Sequence, residues 1–106
     1  MIEPSAVDEI ITQYEKHGWT LRRALLSPDG KETLKQLDAS VDVLDSDIDA
    51  LWFSRRSQPD REAWELRRLT SLPFALIAVI TDDTGNDEIE ETLSQVVDEL
   101  RAKTFA

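Results

Sequence analysis

Paired arginines are the residues of this sequence whose type and spacing are best suited to binding chemistry. Six of the eight arginines stand in three doublets, at positions 22–23, 55–56 and 67–68. Each doublet lies in or at the end of a predicted strand, so one arginine of each pair points to one face of a sheet. A guanidinium group forks carboxylates and stacks on aromatic rings. The candidate binding residues are therefore Arg22, Arg55 and Arg67, with Trp52 beside them.

These arginines also have an ordinary interpretation. They could pair across strands with Glu62, Glu65 and Asp49, or with carboxylates on the helices, and so do no more than keep an open face soluble. The charge distribution is compatible with both interpretations. The net charge is −10, yet residues 18–28 and 50–73 each carry +2, which leaves −14 on the rest of the chain. The predicted sheet is locally cationic and the helical segments are strongly anionic.

No other motif predicts catalysis or metal binding. Asp45, Asp47 and Asp49 give the D-x-D-x-D start of a calcium loop, but its sixth and twelfth positions are Ala50 and Arg56 instead of glycine and glutamate. There is no cysteine, the single histidine ends a predicted helix, and the three glycines stand apart. We therefore expect no metal, no cofactor and no enzymatic activity.

Composition predicts the class of partner more clearly than the partner itself. A net charge of −10 disfavours both nucleic acid and anionic membrane surfaces, because binding to either depends on lysine and arginine. The absence of cysteine and of a basic and apolar leader favours a cytoplasmic protein. A chain of 106 residues predicts a single domain, 1–106.

Two helices follow from apolar periodicity. The spacing predicts a helix over residues 5–17, which ends before Gly18 as a left-handed residue. Asn86 predicts the start of a second long helix, with acidic residues in its first turn and Arg101 and Lys103 at its end. Each helix carries a single apolar stripe, so each is expected to cover one sheet face.

The first half of the sheet is less regular. Residues 19–26 alternate as a strand, with Leu21, Arg23 and Leu25 on one face and Arg22 and Ala24 on the other. Residues 27–30 predict a turn and 31–37 a short helix. A longer helix through residues 34–51 remains open, although the aspartates there disfavour it.

Residues 48–55 and 61–69 predict a hairpin. Leu51 and Phe53 share one face of its first strand and Trp52 lies on the other, while Trp64 and Leu66 share a face of the second. By propensity alone residues 61–69 could also be helical, and the short turn over 57–60 decides for strand. The hairpin places four of the six paired arginines on the sheet.

Residues 72–80 are the longest uncharged apolar run. They predict a strand that is apolar on both faces. One face has Phe74, Leu76, Ala78 and Ile80, and the other has Ala75, Ile77 and Val79. Such a strand is either central in its sheet or lies at a subunit contact. We expect it inside the sheet, with the first strand beside it; at an edge, a second subunit should cover it.

The sequence therefore predicts an α+β two-layer sandwich. It has a four-stranded, mostly antiparallel sheet with both long helices on one face. Two functions remain open. One is a non-enzymatic protein-interaction module that forms a homodimer through the open sheet face or the last strand, with another protein as a potential further partner. The other is a small-anion-binding domain in which Arg22, Arg55 and Arg67 clamp the anion beside Trp52.

Overall fold

The computed structural model describes residues 4–34, 41–69, 75–81 and 83–105. Within these ranges the elements are α1 Pro4–Lys16, β1 Thr20–Leu26, α2 Pro28–Thr33, β2 Asp42–Asp45, β3 Ala50–Gln58, β4 Arg61–Arg68, β5 Ala75–Thr81 and α3 Asn86–Phe105. The α+β class and the two long helices are confirmed, and Gly18 has the left-handed φ of 88° that ends α1. The sheet has five strands where four were expected. None of the described helices is long and apolar enough to cross a membrane.

The strand order is β2-β1-β3-β4-β5. Only β1 and β2 are parallel, and the other three pairings are antiparallel. The predicted hairpin is confirmed as β3 and β4. The expectation that the last strand lies inside the sheet is wrong, because β1 pairs with β3 and leaves β5 at an edge.

The two long helices lie on opposite faces of the sheet, so the expectation that they share one face is wrong. One buried cluster joins Trp52, Trp64 and Leu66 to Leu93 and Leu100 of α3. The other joins residues of α1, β1 and β3, namely Val7, Ala24, Leu26, Leu51 and Phe53. The sheet is thus the middle of three layers, since its strands are apolar on both sides.

A bulge in β1 changes which residues share a face. The pairing of β1 with β3 shifts between Leu21 and Arg23. Leu21 therefore packs with Ala24 on the α1 side, although strict alternation predicts it beside Arg23 and Leu25. The alternation predicted for β3, β4 and β5 is confirmed.

The aspartate-rich segment between α2 and β3 contains a strand that the sequence did not predict. Residues 42–45 form β2. The turn predicted over 27–30 is instead the start of α2, where the Ser27 hydroxyl accepts a hydrogen bond from Gly30 N at 3.2 Å. The three aspartates of the calcium-like motif have three different partners. Asp45 pairs with Lys31, Asp47 with Arg101, and Asp49 accepts from Ser27 N at 2.8 Å. Residues 35–37 and 72–74 of the predicted elements lie outside the described residues.

Trp52 is a core residue and should behave as one. Its side chain is 1% exposed and makes an edge-to-face contact with Trp64, with ring centroids 6.0 Å apart. We expect Trp52→Ala to lower the free energy of unfolding by about 3–5 kcal/mol, because it leaves a large cavity. Urea unfolding followed by far-UV circular dichroism measures this. Val43→Ala, at a half-exposed site, is the control; an equally small loss for both variants would contradict the burial of Trp52.

Candidate functional site

Helix α1 covers only part of its sheet face. The register places Phe53, Glu65 and Ile77 in one row across β3, β4 and β5. Phe53 lies under α1 and is fully buried, Glu65 is half-buried, and Ile77 is 61% exposed. The neighbouring row ends at Val79, which is 58% exposed. Cover is therefore lost progressively from β3 to β5, and two β-branched side chains remain open to solvent on the α1 side.

β5 is also an edge strand without the usual protection. Its sequence, Ala75–Thr81, contains no charged residue and no proline. No described residue pairs with its outer edge. The other edge strand, β2, has only four residues and is bounded by Asp42 and Asp45. Short length and charge are common devices against edge-to-edge pairing, so β2 is protected and β5 is not.

Tyr14 forms the boundary between the covered and the open parts of this face. Its ring stacks on Phe53 with centroids 4.0 Å apart, and contacts Trp19 edge-on at 5.9 Å. Its hydroxyl donates a hydrogen bond to Glu65 Oε2. Burial raises the pKa of Tyr14, and the hydrogen bond and negative charge of Glu65 raise it further, while Arg67 acts in the opposite direction.

Arg67 lies beside an open cleft between α1 and β4. The cleft has a volume of about 710 Å³ and is lined by Asp8, Glu9, Ile10 and Tyr14 among others. Arg67 Nε is buried and has no hydrogen-bond partner among the described residues. An unpaired buried N–H is costly, and a carboxylate or phosphate oxygen would satisfy it.

Arg55 is on the same face as Arg67 but lies on the opposite side of Tyr14 along the strand direction. Its guanidinium carbon lies 4.7 Å from the centre of the Trp19 ring, and its Nη1 donates to the His17 carbonyl at 3.1 Å. A smaller cavity of about 350 Å³ lies among Tyr14, Trp19, Arg55 and Glu65. Arg67 and Arg55 are separated along the strands by four positions of the register, about 13 Å.

The remaining two predicted site residues lie on the α3 side. Arg22 Nη1 donates to Ser54 Oγ at 3.1 Å, and its guanidinium carbon is 4.9 Å from the centre of the Trp64 ring. Arg23 reaches the same ring at 5.6 Å and bonds to Glu90 of α3. Trp52 is buried beneath α3, so the prediction that it lies on an open face is wrong.

The four predicted site residues are therefore not brought together. Guanidinium groups do stack on indole rings, but on Trp64 and Trp19 instead of Trp52. Tyr14 is among the residues that sequence reasoning did not select, and no motif gives a signal for it; Glu65 was named only as a carboxylate near the arginines. Ile77 and Val79 did have a signal, since the last strand is apolar on both faces. No group of three or more acidic or histidine side chains among the described residues could hold a metal ion.

Tyr14 is the only tyrosine, so its ionisation can be followed directly. We expect its absorbance at 295 nm in the folded protein to rise at a pH above the usual value of 10, and near 10 in concentrated urea. Because the folded state favours the neutral phenol, the stability from this site is complete below pH 10 and is lost as the pH rises above it. Glu65→Gln should move the folded midpoint down. Equal midpoints in folded and unfolded wild type would contradict the contact.

Neither protein-family models, curated proteins nor solved structures gave a match to this chain. The function must therefore be inferred from the surfaces of the chain itself. The most exposed large apolar side chains among the described residues are Ile77 and Val79 of β5, on the open part of the α1 face.

Proposed function

We propose that this chain is a non-enzymatic, cytoplasmic protein-interaction module that forms a homodimer through its last strand, β5. The proposal rests on two features of one strand: an outer edge with which no described residue pairs, and exposed apolar side chains. Ile77 and Val79 are 61% and 58% exposed on a seven-residue strand that has no charge. A second copy offers the same edge, so the pairing closes as a two-fold dimer and cannot continue into a fibre.

Antiparallel pairing of two β5 strands would extend the sheet from five strands to ten. The two-fold axis is then perpendicular to the sheet, so the α1-side faces of both copies are on the same side. Ile77 and Val79 of one copy would lie next to the same residues of the other, since directly opposed residues in an antiparallel pair share a face. Backbone groups that face water in the monomer would gain partners, and an apolar cluster would form above them.

The charge of the chain opposes dimerisation only at long range. Each copy carries −10, but no charged residue lies within β5 itself. Repulsion between charges that are more than about 8 Å apart is largely screened at physiological ionic strength. Added salt should therefore strengthen the dimer, which is the opposite of what an interface held by ion pairs would show.

Sedimentation equilibrium tests the proposal. We expect wild type to be a dimer at tens of micromolar, and Ile77→Lys to weaken the dimer at least about tenfold, because like charges would face each other across the new strand pair. Val43→Lys is the matched control: it changes the charge identically at a half-exposed position on the other edge strand. It should leave the dimer intact.

A wild-type monomer, or equal weakening by both lysine variants, would contradict the use of β5. The absence of cysteine allows a second test with single-cysteine variants at positions 77, 78 and 79. Edge pairing predicts rapid disulfide formation for at least one of them and none for Val43→Cys, because bridged residues need Cα atoms within about 7 Å. Dimerisation without any such disulfide would contradict edge pairing centred on residues 77–79.

Small-anion binding is the second candidate function, and one observation favours it. Arg67 Nε is buried beside the cleft of about 710 Å³ and has no hydrogen-bond partner in the described part of the chain. The acidic side chains of Asp8 and Glu9 in the cleft wall reduce its attraction for anions. Arg22 and Trp52 cannot contribute from the opposite face.

Thermal unfolding in the presence of phosphate, acetate and succinate tests this second function. Binding at Arg67 predicts a rise in Tm with anion concentration, and the rise should disappear in Arg67→Gln because the guanidinium group is lost. Sodium chloride at the same ionic strength controls for screening. Equal rises in wild type and Arg67→Gln would exclude Arg67 as an anion site.

A further inference from the structure

We propose that the β5 dimer forms a groove that binds a basic amphipathic helix of a partner protein. This inference rests on the proposed dimer, because the groove consists of two half-faces that only dimerisation joins. Edge pairing would give the outer backbone N–H and C=O groups of β5 hydrogen-bond partners. It would leave the side chains of Ile77 and Val79 exposed on the α1 side. Two copies place four of these side chains together, and contiguous apolar patches of that kind mark interaction sites.

The floor of the groove is formed by β4 and β5 of both copies. On the α1 side, β4 contributes Ala63, Glu65 and Arg67, and the register places these beside Val79, Ile77 and Ala75 of β5. The apolar residues of β5 are thus central, and the charged residues of β4 lie nearer the walls. Glu65 and Arg67 have opposite charges, so the floor has no net charge.

The walls of the groove are the two α1 helices. α1 packs over β1 and β3, and Tyr14 marks its side nearer β5, with its ring stacked on Phe53. The positions of β3 and its copy in the dimer, five strand spacings or about 24 Å apart, therefore set a lower limit for the distance between the two helices. Subtracting one helix diameter of about 10 Å leaves a gap of at least about 14 Å. An incoming helix of about 10–12 Å fits this gap, whereas a single extended segment would leave part of the floor uncovered.

Charge complementarity decides which helix fits. Asp8 and Glu9 of α1 line the cleft above Arg67 and are exposed. Their copies would line the opposite wall, and the whole dimer would carry −20, twice the −10 of the chain. A helix with an apolar stripe toward Ile77 and Val79 and lysines or arginines on both flanks would match floor and walls. The helix-in-groove mode of recognition has this pattern of anchors.

The experiment uses a fluorescein-labelled peptide of about 18 residues that contains only leucine and lysine, with leucines at helical spacing i, i+3, i+4 and i+7. A scrambled peptide of the same composition is the control for charge alone. Fluorescence anisotropy at 0.15 M salt should show tighter binding of the amphipathic peptide to wild type. Ala63→Lys should weaken that binding at least about tenfold, because it places an ammonium group on the floor without altering β5. Val43→Lys, with the same charge change outside the groove, should bind as wild type.

Sedimentation of the same samples separates this inference from the proposed function. A dimer that binds the amphipathic peptide, and loses it in Ala63→Lys while remaining a dimer, supports the groove. A dimer that binds both peptides equally, or is equally affected by the two lysine variants, overturns the groove and leaves the dimer standing. Binding by a monomer, or a wild type that is monomeric, overturns both.

Discussion

The structure depends on the mismatch between a five-stranded sheet and the single long helix that covers each of its faces. Five strands are about 24 Å wide, whereas one helix covers about 10 Å. α3 buries Trp52, Trp64 and Leu66, and α1 buries Leu26 and Phe53. Neither helix can reach across the whole sheet. Among the described residues, the large apolar side chains that remain exposed are at the two edges, Val43 and Leu44 on β2 and Ile77 and Val79 on β5.

The charges of the sheet serve first to hold α3 in place. Arg23 stacks beside Trp64 and bonds to Glu90, and the carboxylate of Glu90 has its pKa lowered mainly by that hydrogen bond. Arg101 of α3 bonds to Asp47 at 2.9 Å. The Arg23–Glu90 pair joins a cationic strand to an anionic helix, as the sequence pattern suggests, whereas the Arg101–Asp47 pair has the opposite polarity. The bulge at Arg22 turns that arginine toward the same face as Arg23.

Local patterns in the sequence were sufficient for most elements but not for their arrangement. The faces of Trp52 and Phe53 follow from alternation, and the structure agrees. Which face receives α3 depends on the path of the chain after β5, and no local pattern encodes that path. β2 was missed because aspartates at both ends of a four-residue segment favour turns over strands. The pairing of β1 with β3 instead of β5 depends on long-range register.

The composition of the candidate site also could not be predicted from local sequence patterns alone. Arginine doublets indicate a locally cationic sheet, but the bulge in β1 places Arg22 on the opposite face from Arg55 and Arg67, and Trp52 is buried. Tyr14 gives no signal in the sequence, because its role comes from stacking on Phe53 and bonding to Glu65, residues 39 and 51 positions further along the chain. The apolarity of the last strand on both faces was the informative feature. It predicted either a central strand or a subunit contact, and the structure excludes the first within the described residues.

The contrast between the two edges is the strongest argument that the exposure of β5 has a use. Both edge strands carry exposed β-branched or aliphatic side chains, so the same physical hazard of edge pairing exists on each side. At β2 the hazard is countered by Asp42 and Asp45 and by a length of four residues. At β5 seven uncharged residues remain, and Ile77 and Val79 are more exposed than Val43 and Leu44. The chain has 22 acidic residues, and none of them lies within β5. Self-association through this edge would supply the cover that α1 is too narrow to give.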